Sequence, residues 1–474
     1  MQVWRCKCYS VTEHLNPTET PMAELYDARW FASRLANLTK RGIAQETAAL
    51  VRTGALPVGA KLPTVRDLAF VLGVSPATVS HAWAELRRHK IISGRGRNGS
   101  WVIGTSFSPR PERLMSGAEF SPGVLNLARA APDTALLPGL EAALAHGAQA
   151  AGLNSYDRVR ILPELEAAVR RTWPYDASAM LAIDGGYNAI YTLLHALLPP
   201  GAPVAVEDPT GLRLIDILEQ MNVPVLPVAC DRLGPRPEAL ERALRDRPAM
   251  FLFQPRVHAV TGGLMSAERL EVLGDLLQAT DTLIVENDGI GDISDAPRIS
   301  LGHRFPDRVI HVLSFSKALG PDLRLAVLSA SAVIVEQIQS YRGFSAGWTS
   351  RILQAAGAWL LNDGATGAAL ARAREVYRVR RECFAGELAR HGIVLDPGHG
   401  LSLFVPVKDS AASVARLLAA GIGVQAGYKF SLGNPAAIRV ATASLGADDA
   451  ARVARAIARS DAAVVEDDKP AEPA

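Results

Sequence analysis

The stretch "IHVLSFSKALGPDLRLAVL", Ile310 to Leu328, sets a single lysine, Lys317, between two apolar runs, with Ser314 and Ser316 before it and Arg324 seven residues after it. By itself such a segment is a polar turn between two strands. A second segment changes its meaning. "LAIDGGYNAIYTLLHALL" reads as a strand, then Gly185, Gly186 and Tyr187, then an amphipathic helix with Ile190, Leu193, Leu194, Leu197 and Leu198 on its apolar face. A helix that opens on glycines directly after a strand offers unsatisfied backbone N–H groups to an anion, phosphate above all. With the two serines and Arg324, these amides outline a phosphate cradle beside the amine of Lys317.

A different chemistry is concentrated near the N-terminus. Between Arg29 and Trp101 the chain carries twelve Lys and Arg against three acids, a local charge of +9, although the whole chain is only +2. The remainder is net acidic, so a polyanionic partner is expected for this segment alone. Within it, Pro63 and Thr64 open a helix carrying Leu68, Ala69 and Leu72, which stops at Gly73. Ser75 fits an N-cap, and Pro76 fits the first position of the next helix, which runs to about His89 with Val79, Trp83 and Leu86 inward. Ile91 and Ile92 begin a strand, "SGRGRNGS" is a basic glycine-rich turn, and "WVIG" is the returning strand. Two helices joined by a tight turn and followed by a hairpin describe a winged helix-turn-helix, and duplex DNA is the expected partner. Ser75, Thr78 and Ser80 would meet the major groove. Thr64 and Arg66 would reach the backbone or a base edge, and Arg95 and Arg97 would reach phosphates or the minor groove from the wing.

A chain of 474 residues is too long for one ordinary domain, and with 49% hydrophobic and 21% charged residues it is globular. No apolar run approaches the roughly 20 residues of a membrane span, and the N-terminus lacks the apolar core of a signal peptide. A cytoplasmic location without membrane attachment is expected. The four cysteines show neither zinc spacing nor a disulfide framework, which suits a reducing compartment, and no metal is expected. Met22 is an alternative start to Met1. The expected divisions are an N-terminal tail over 1–28, the winged helix-turn-helix over 29–104, a Pro/Ser/Gly-rich linker over 105–121, a body over 122–459 and an acidic tail over 460–474. One helical pattern spans Phe31 to Thr53. In the body, "APVAVED", "VPVLPVA", "AMFLFQP", "DTLIVEN", "RVIHVLSF" and "RLAVLSA" alternate with helical stretches. That order argues an α/β domain with a mostly parallel sheet, followed from about Val394 by a small C-terminal α+β portion.

"AKLPTVRDLAFVLGVSPATVSHAWAELRRHKII" and the wing "GRGRNGSWV" resemble the GntR family of bacterial regulators. "SFSKALGPDLRLA" resembles the lysine segment of the fold type I, pyridoxal-phosphate-dependent aminotransferases, and that resemblance runs from about Asn126 to Arg459. With "NSYDRVRILPELEAAVRRTW", "VAVEDPTGL" and "ENDGIGDIS" in the same order, the whole chain resembles the MocR subfamily of GntR-type regulators. The resemblance implies pyridoxal 5'-phosphate as cofactor, joined to Lys317 as a Schiff base. It places Gly185, Gly186, Tyr187, Ser314, Ser316 and Arg324 around the phosphate and Asn287 beside the pyridine nitrogen. It makes Arg439, in "AAIRVATASL", the clamp for an effector carboxylate, a task that suits its bidentate fork. It also implies a homodimer.

Four positions, one of them together with its neighbour, depart from the pattern this resemblance brings. Gly211 stands where an aromatic ring stacks on the pyridine, and Ala259 where an asparagine contacts the phenolic oxygen, with Val260 after it in place of a proline. Asn287 stands where an aspartate pairs with the ring nitrogen, and Gly289 where tyrosine or histidine is common. Neutral Asn287 cannot keep the ring nitrogen protonated, and the protonated ring is what takes up carbanion electrons. Asp288 could substitute only if the strand register slipped by one. The expected function is a DNA-binding transcriptional regulator whose aminotransferase-like domain senses a small molecule: an amino compound, vitamin B6 or a carboxylate. Pyridoxal phosphate would be held weakly, with poor or absent transamination. The alternative is an active pyridoxal-phosphate-dependent aminotransferase with a DNA-binding appendage.

Overall fold

The computed structural model describes residues 26–94, 99–104, 111–115, 120–221 and 223–467. Arg95 and Arg97, the segment with Cys6, Cys8 and Met22, and most of the expected linker lie outside these residues. The chain divides into two compact units, Met1–Arg110 and Pro111–Ala474.

The first unit contains α1 (Ala28–Ala32), α2 (Lys40–Arg52), β1 (Lys61–Leu62), α3 (Val65–Leu72), α4 (Pro76–Arg88), β2 (Ile92–Ser93) and β3 (Ser100–Val102). The strands pair antiparallel in the order β1-β3-β2. Where the apolar pattern runs on from Phe31 to Thr53, the chain makes two helices instead of one. Asn37 accepts from the Thr39 amide, Thr39 caps α2 by accepting from Gly42 N, and the Glu46 carboxylate ties back to the amides of Ala36 and Asn37. Apolar spacing does not register such a capped break. Phe31, Ile43, Leu56, Leu68, Val79, Trp83 and Leu86 form the buried core, with Phe31 and Trp83 edge to face at 6.1 Å. Gly73 ends α3 at φ 68, a left-handed conformation that a Cβ disfavours, and Ser75 starts α4 two residues later.

The second unit opens with α5 (Glu112–Met115), β4 (Leu125–Asn126), α6 (Glu141–Gly147) and α7 (Pro163–Arg170). Then come β5 (Ala179–Ile183), α8 (Gly186–Leu197), β6 (Val204–Asp208), α9 (Leu212–Gln220), β7 (Val225–Asp231), β8 (Gly234–Pro235), β9 (Met250–Phe253), β10 (Leu283–Asp288), β11 (Val309–Ser314) and β12 (Ala326–Ala330). These eight strands form one sheet in the order β5-β12-β11-β10-β9-β6-β7-β8. The central pairs are parallel, β12 runs antiparallel to both neighbours, and β8 turns back on β7. Helices bury both faces, so β9 and β11 are wholly buried, and β9 is apolar without alternation. The smaller C-terminal part holds β13 (Ser402–Pro406), β14 (Ile422–Gly423), β15 (Gln425–Ala426) and β16 (Ala437–Ala441). Its sheet is ordered β13-β16-β15, while β14 pairs in parallel with β4 far upstream.

Two expectations about the connecting segments are corrected. The stretch read as a structureless linker over 105–121 contains α5, and the last helix, Ala447–Asp467, continues past residue 460, where an acidic tail was expected. α5 is too short to show a period, and its cap comes from a distant residue: Asp216 accepts from the amides of Arg113 and Leu114. Alanines within the last helix favour its continuation despite the acids. Among the described residues no helix is long and apolar enough to cross a membrane.

Candidate functional site

In the first unit α4 turns Val79, Ala82, Trp83 and Leu86 into the core and leaves Ala77, Ser80, His81, Ala84 and Arg88 exposed. The exposed set follows helical spacing and forms one stripe. Its small side chains let a helix lie close to a groove floor, with Ser80 and His81 as polar tips. His81 escaped the sequence reading, although it sits one position after Ser80 on the same stripe. Ser75 and Thr78 are occupied locally: Ser75 Oγ accepts from Thr78 N at 3.1 Å, and their hydroxyl oxygens are 2.9 Å apart. Thr64 caps α3, accepting from Asp67 N at 3.2 Å and donating to Asp67 Oδ2 at 2.7 Å. Arg66 is exposed in the first turn of α3. Arg87 is one of the segment's cations, but it donates to Ser100 Oγ at 3.3 Å and so braces the hairpin.

In the second unit the ends of β10 and β11 and the N-termini of α8 and α9 surround a cavity of about 280 Å³. Gly186, Tyr187, Asn287, Ser314, Ser316, Lys317, Arg324 and Arg439 all line it. Gly185 stands one residue back, at the N-cap of α8. The divergent positions Gly211, Ala259, Val260 and Gly289 also line it, as does Arg213, which the sequence reading missed. Among the described residues the lining carries four cations, Arg213, Lys317, Arg324 and Arg439, and no carboxylate.

The two glycines have separate reasons. Gly185 has φ 99, and a Cβ on it would lie 3.2 Å from the Arg324 guanidinium. A Cβ on Gly186 would lie 3.1 Å from Ser314 Cβ, so glycine lets the start of α8 seat against the end of β11. Gly185 provides no capping side chain, which leaves the first-turn amides of α8 for an outside acceptor. Arg324 is itself left-handed at φ 47, a strained backbone for an arginine, and it donates to Asp184 O at 2.9 Å.

Lys317 Nζ donates to the Ala130 carbonyl. Burial, with the Arg439 charge adding to it, lowers its pKa to about 8. At pH 7 about one such amine in ten is neutral and nucleophilic. Arg439 donates to the Ala128 carbonyl and packs its guanidinium 4.4 Å from the Phe430 ring centroid, but its Nε is buried without an acceptor. Burial lowers its pKa to about 10.

Asn287 lines the cavity and Asp288 does not. Asp288 is buried on the other face, 2.9 Å from Arg256 Nη2, and accepts from Gly291 N at 3.0 Å. The slipped register is thereby excluded, because successive strand side chains alternate in direction. Behind the cavity, Glu207, Cys230 and His258 bring potential ligand atoms within 4.8 Å of one another. His258 Nδ1 accepts from Thr261 N, leaving Nε2–H to donate to Pro209 O at 2.8 Å. Glu207 accepts from both the amide and the side chain of Gln254. These atoms are satisfied within the protein, and through Gln254 the cluster holds a residue that lines the cavity.

Residues 39–102 match the model of the bacterial regulatory proteins of the gntR family. The vitamin B6 salvage pathway transcriptional repressor PtsJ of Salmonella typhimurium is 32% identical over 388 residues, which cover 81% of this chain and 89% of that protein. The HTH-type pyridoxine biosynthesis transcriptional regulator PdxR of Corynebacterium glutamicum is 26% identical over 70% of this chain and 75% of its own. Among solved structures, the multiple substrate aminotransferase of Thermococcus profundus aligns with a TM-score of 0.67 at 21% identity, over 73% of this chain and 93% of its own. The α-aminoadipate aminotransferase LysN of Thermus thermophilus aligns with a TM-score of 0.65 at 23% identity, over 74% and 96%. A gntR-type helix-turn-helix joined to an aminotransferase fold defines a class of transcriptional regulators, and this protein is one of them. Within that class the chain belongs to the MocR subfamily.

Proposed function

We propose that the larger unit senses pyridoxal 5'-phosphate and that its occupancy sets the affinity of the helix-turn-helix for DNA, without transamination. The observation that carries this reading is a cavity with four cations, no carboxylate among its described lining residues and one partly buried lysine whose pKa is lowered to about 8. Its residues suit the cofactor. The uncapped start of α8, Ser314, Ser316 and Arg324 would hold the phosphate, and the Lys317 amine would meet the aldehyde. When bound, the cofactor supplies an aldehyde and an electron-accepting ring. Asn287 provides no negative charge to keep the ring nitrogen protonated, which supports retention without turnover. The orphaned Nε of Arg439 supports a carboxylate group, from an amino compound, as a second ligand in the same cavity. The names of PtsJ and PdxR, both tied to vitamin B6, agree with this choice of ligand.

In the same reading Arg66, Ser80 and His81 approach duplex DNA, with Thr64, Ser75 and Thr78 ordering the helix starts and Arg95 and Arg97 completing the wing. The second unit forms the homodimer that the sequence resemblance implies. Ligand acts by favouring one arrangement of the two DNA-binding units over another. The test combines two titrations of the full-length protein. Visible absorbance with added pyridoxal phosphate is expected to show a band in the parent and none in Lys317→Ala. Gel shifts on DNA upstream of the protein's own gene are expected to change with cofactor and to weaken steeply with salt. A parent without the band would overturn the choice of ligand, and measurable keto-acid production would overturn the regulator-only reading.

A further inference from the structure

The cavity carries an aromatic ring in an unexpected place. Tyr187, in the first turn of α8, is half-buried and lines the cavity. Its Oη lies 2.2 Å from where a Cβ on Gly211 would stand, and its Cζ lies at 3.5 Å. No residue larger than glycine fits at 211 while Tyr187 holds this position. The Arg213 guanidinium lies 5.1 Å from the ring centroid, and burial raises the hydroxyl's pKa, keeping it neutral. Gly211 and Tyr187 are therefore one feature: the ring absent from the start of α9 is replaced by a ring entering the same space from α8.

We propose that Tyr187 is the surface on which the planar ring of the ligand packs, so that the stacking residue has moved from 211 to 187. This rests on the cavity being a pyridoxal phosphate site. A ring wedged against Gly211 and beside a guanidinium is already oriented before ligand arrives, and replacing it with a non-aromatic side chain should weaken binding about three- to tenfold. The experiment is a pyridoxal phosphate titration by visible absorbance on the full chain and five variants. Tyr187→Phe should stay within about twofold of the parent, which controls for the fold. Tyr187→Leu and Gly211→Ala should both weaken binding, the second by displacing the ring. The exchange Tyr187→Ala with Gly211→Tyr should recover affinity lost in Tyr187→Ala alone. A Tyr187→Leu protein that binds as the parent does, or an exchange no tighter than Tyr187→Ala, overturns the stacking role alone. A parent that binds no cofactor overturns the site reading and this proposal together.

A separate observation concerns α9. Leu212, Arg213 and Leu214 at its start line the cavity. Further along it, buried Asp216 accepts from the amides of Arg113 and Leu114, each at 3.0 Å, and Glu219 pairs with Arg113 at 2.9 Å. These contacts hold α5, the segment through which the chain enters the second unit just after Arg110. We infer that α9 is the strut by which occupancy of the cavity reaches the connection to the DNA-binding unit. A single helix transmits a shift at one end to the other, and a carboxylate on helix N–H groups is a strong anchor.

Asp216→Ala is expected to leave pyridoxal phosphate affinity within about twofold while cutting the cofactor-induced change in DNA affinity at least about fivefold. Asp216→Asn, which keeps one acceptor, should restore part of the response. A full cofactor response in Asp216→Ala, or loss of cofactor binding with it, overturns the strut. A parent whose DNA affinity ignores a bound cofactor overturns both the strut and the sensing reading, and the absorbance titration tells that outcome from a failure to bind.

Discussion

Asn287 and Asp288 are consecutive on β10 and face opposite sides of the sheet: Asn287 lines the cationic cavity, while Asp288 is buried 2.9 Å from Arg256. Both acids that flank Asn287 are thus committed elsewhere, Asp288 to Arg256 and Glu286 to Ser300, the Leu301 amide and His311. Asn287→Asp would place a carboxylate among Lys317, Arg324 and Arg439, where it needs no new partner. We expect the variant to react with amino acids at least about tenfold faster than the parent, a barrier change of roughly 1.4 kcal/mol. Single-turnover absorbance with pyridoxal phosphate measures it. Equal rates would show that Ala259 or Gly289, not Asn287, is the block.

Lys317 gives a pH signature. Its pKa of about 8, against an ordinary 10.5, means that capture of an aldehyde by the free protein should rise with a midpoint near pH 8. A midpoint near that of a solvent-exposed lysine would refute the buried amine. The same shift has a consequence for folding. Between pH 8 and 10.5 the folded chain holds fewer protons at this site than the unfolded one, so its contribution to stability rises with pH through that window. Below pH 8 both states are protonated and the cost of the buried charge is present in full.

On the DNA side, exposed Arg66 and exposed His81 should behave differently. Arg66→Ala should weaken binding to all duplexes alike and reduce the slope of log affinity against log salt by about one. His81→Ala should leave the slope unchanged and cost about 1–3 kcal/mol of discrimination between its own operator and a scrambled duplex. Gel shifts over a salt series with both duplexes decide it, and an unchanged Arg66→Ala slope would remove Arg66 from the phosphate contacts.

Among the described residues Trp83 is the largest fully buried side chain, and it packs against Phe31 at 6.1 Å in the core of the first unit. Trp83→Ala should cost about 3–5 kcal/mol. Because the cavity belongs to the second unit and a different core, DNA binding should fail before the cofactor band does. Parallel thermal melts followed by gel shift and by visible absorbance would show the two losses at different temperatures. A single coincident loss would mean that the units unfold together.

Local patterns in the chain were enough to place α3 and α4 of the DNA-binding unit, the two glycines where α8 starts, the apolar strands of the central sheet and the cluster around Lys317. Each leaves a local signature in the sequence: a capping hydroxyl, a glycine-led helix start after a strand, or an apolar run buried on both faces. Even the loss of charge at Asn287 could be read from one strand. The break between α1 and α2 was missed because its cause, the Asn37 and Glu46 contacts, leaves the apolar spacing unchanged.

What folding alone settled are the pairings across long separations. Tyr187 fills the space beside Gly211, Arg213 joins Lys317, Arg324 and Arg439 around one cavity, and Asp216 caps a helix 103 residues upstream. None of these follows from spacing, because segments far apart in the chain meet only where packing of the sheet and its helices brings them together. Side-chain direction on β10 was likewise undetermined until the sheet assigned its faces, giving Asn287 to the cavity and Asp288 to Arg256.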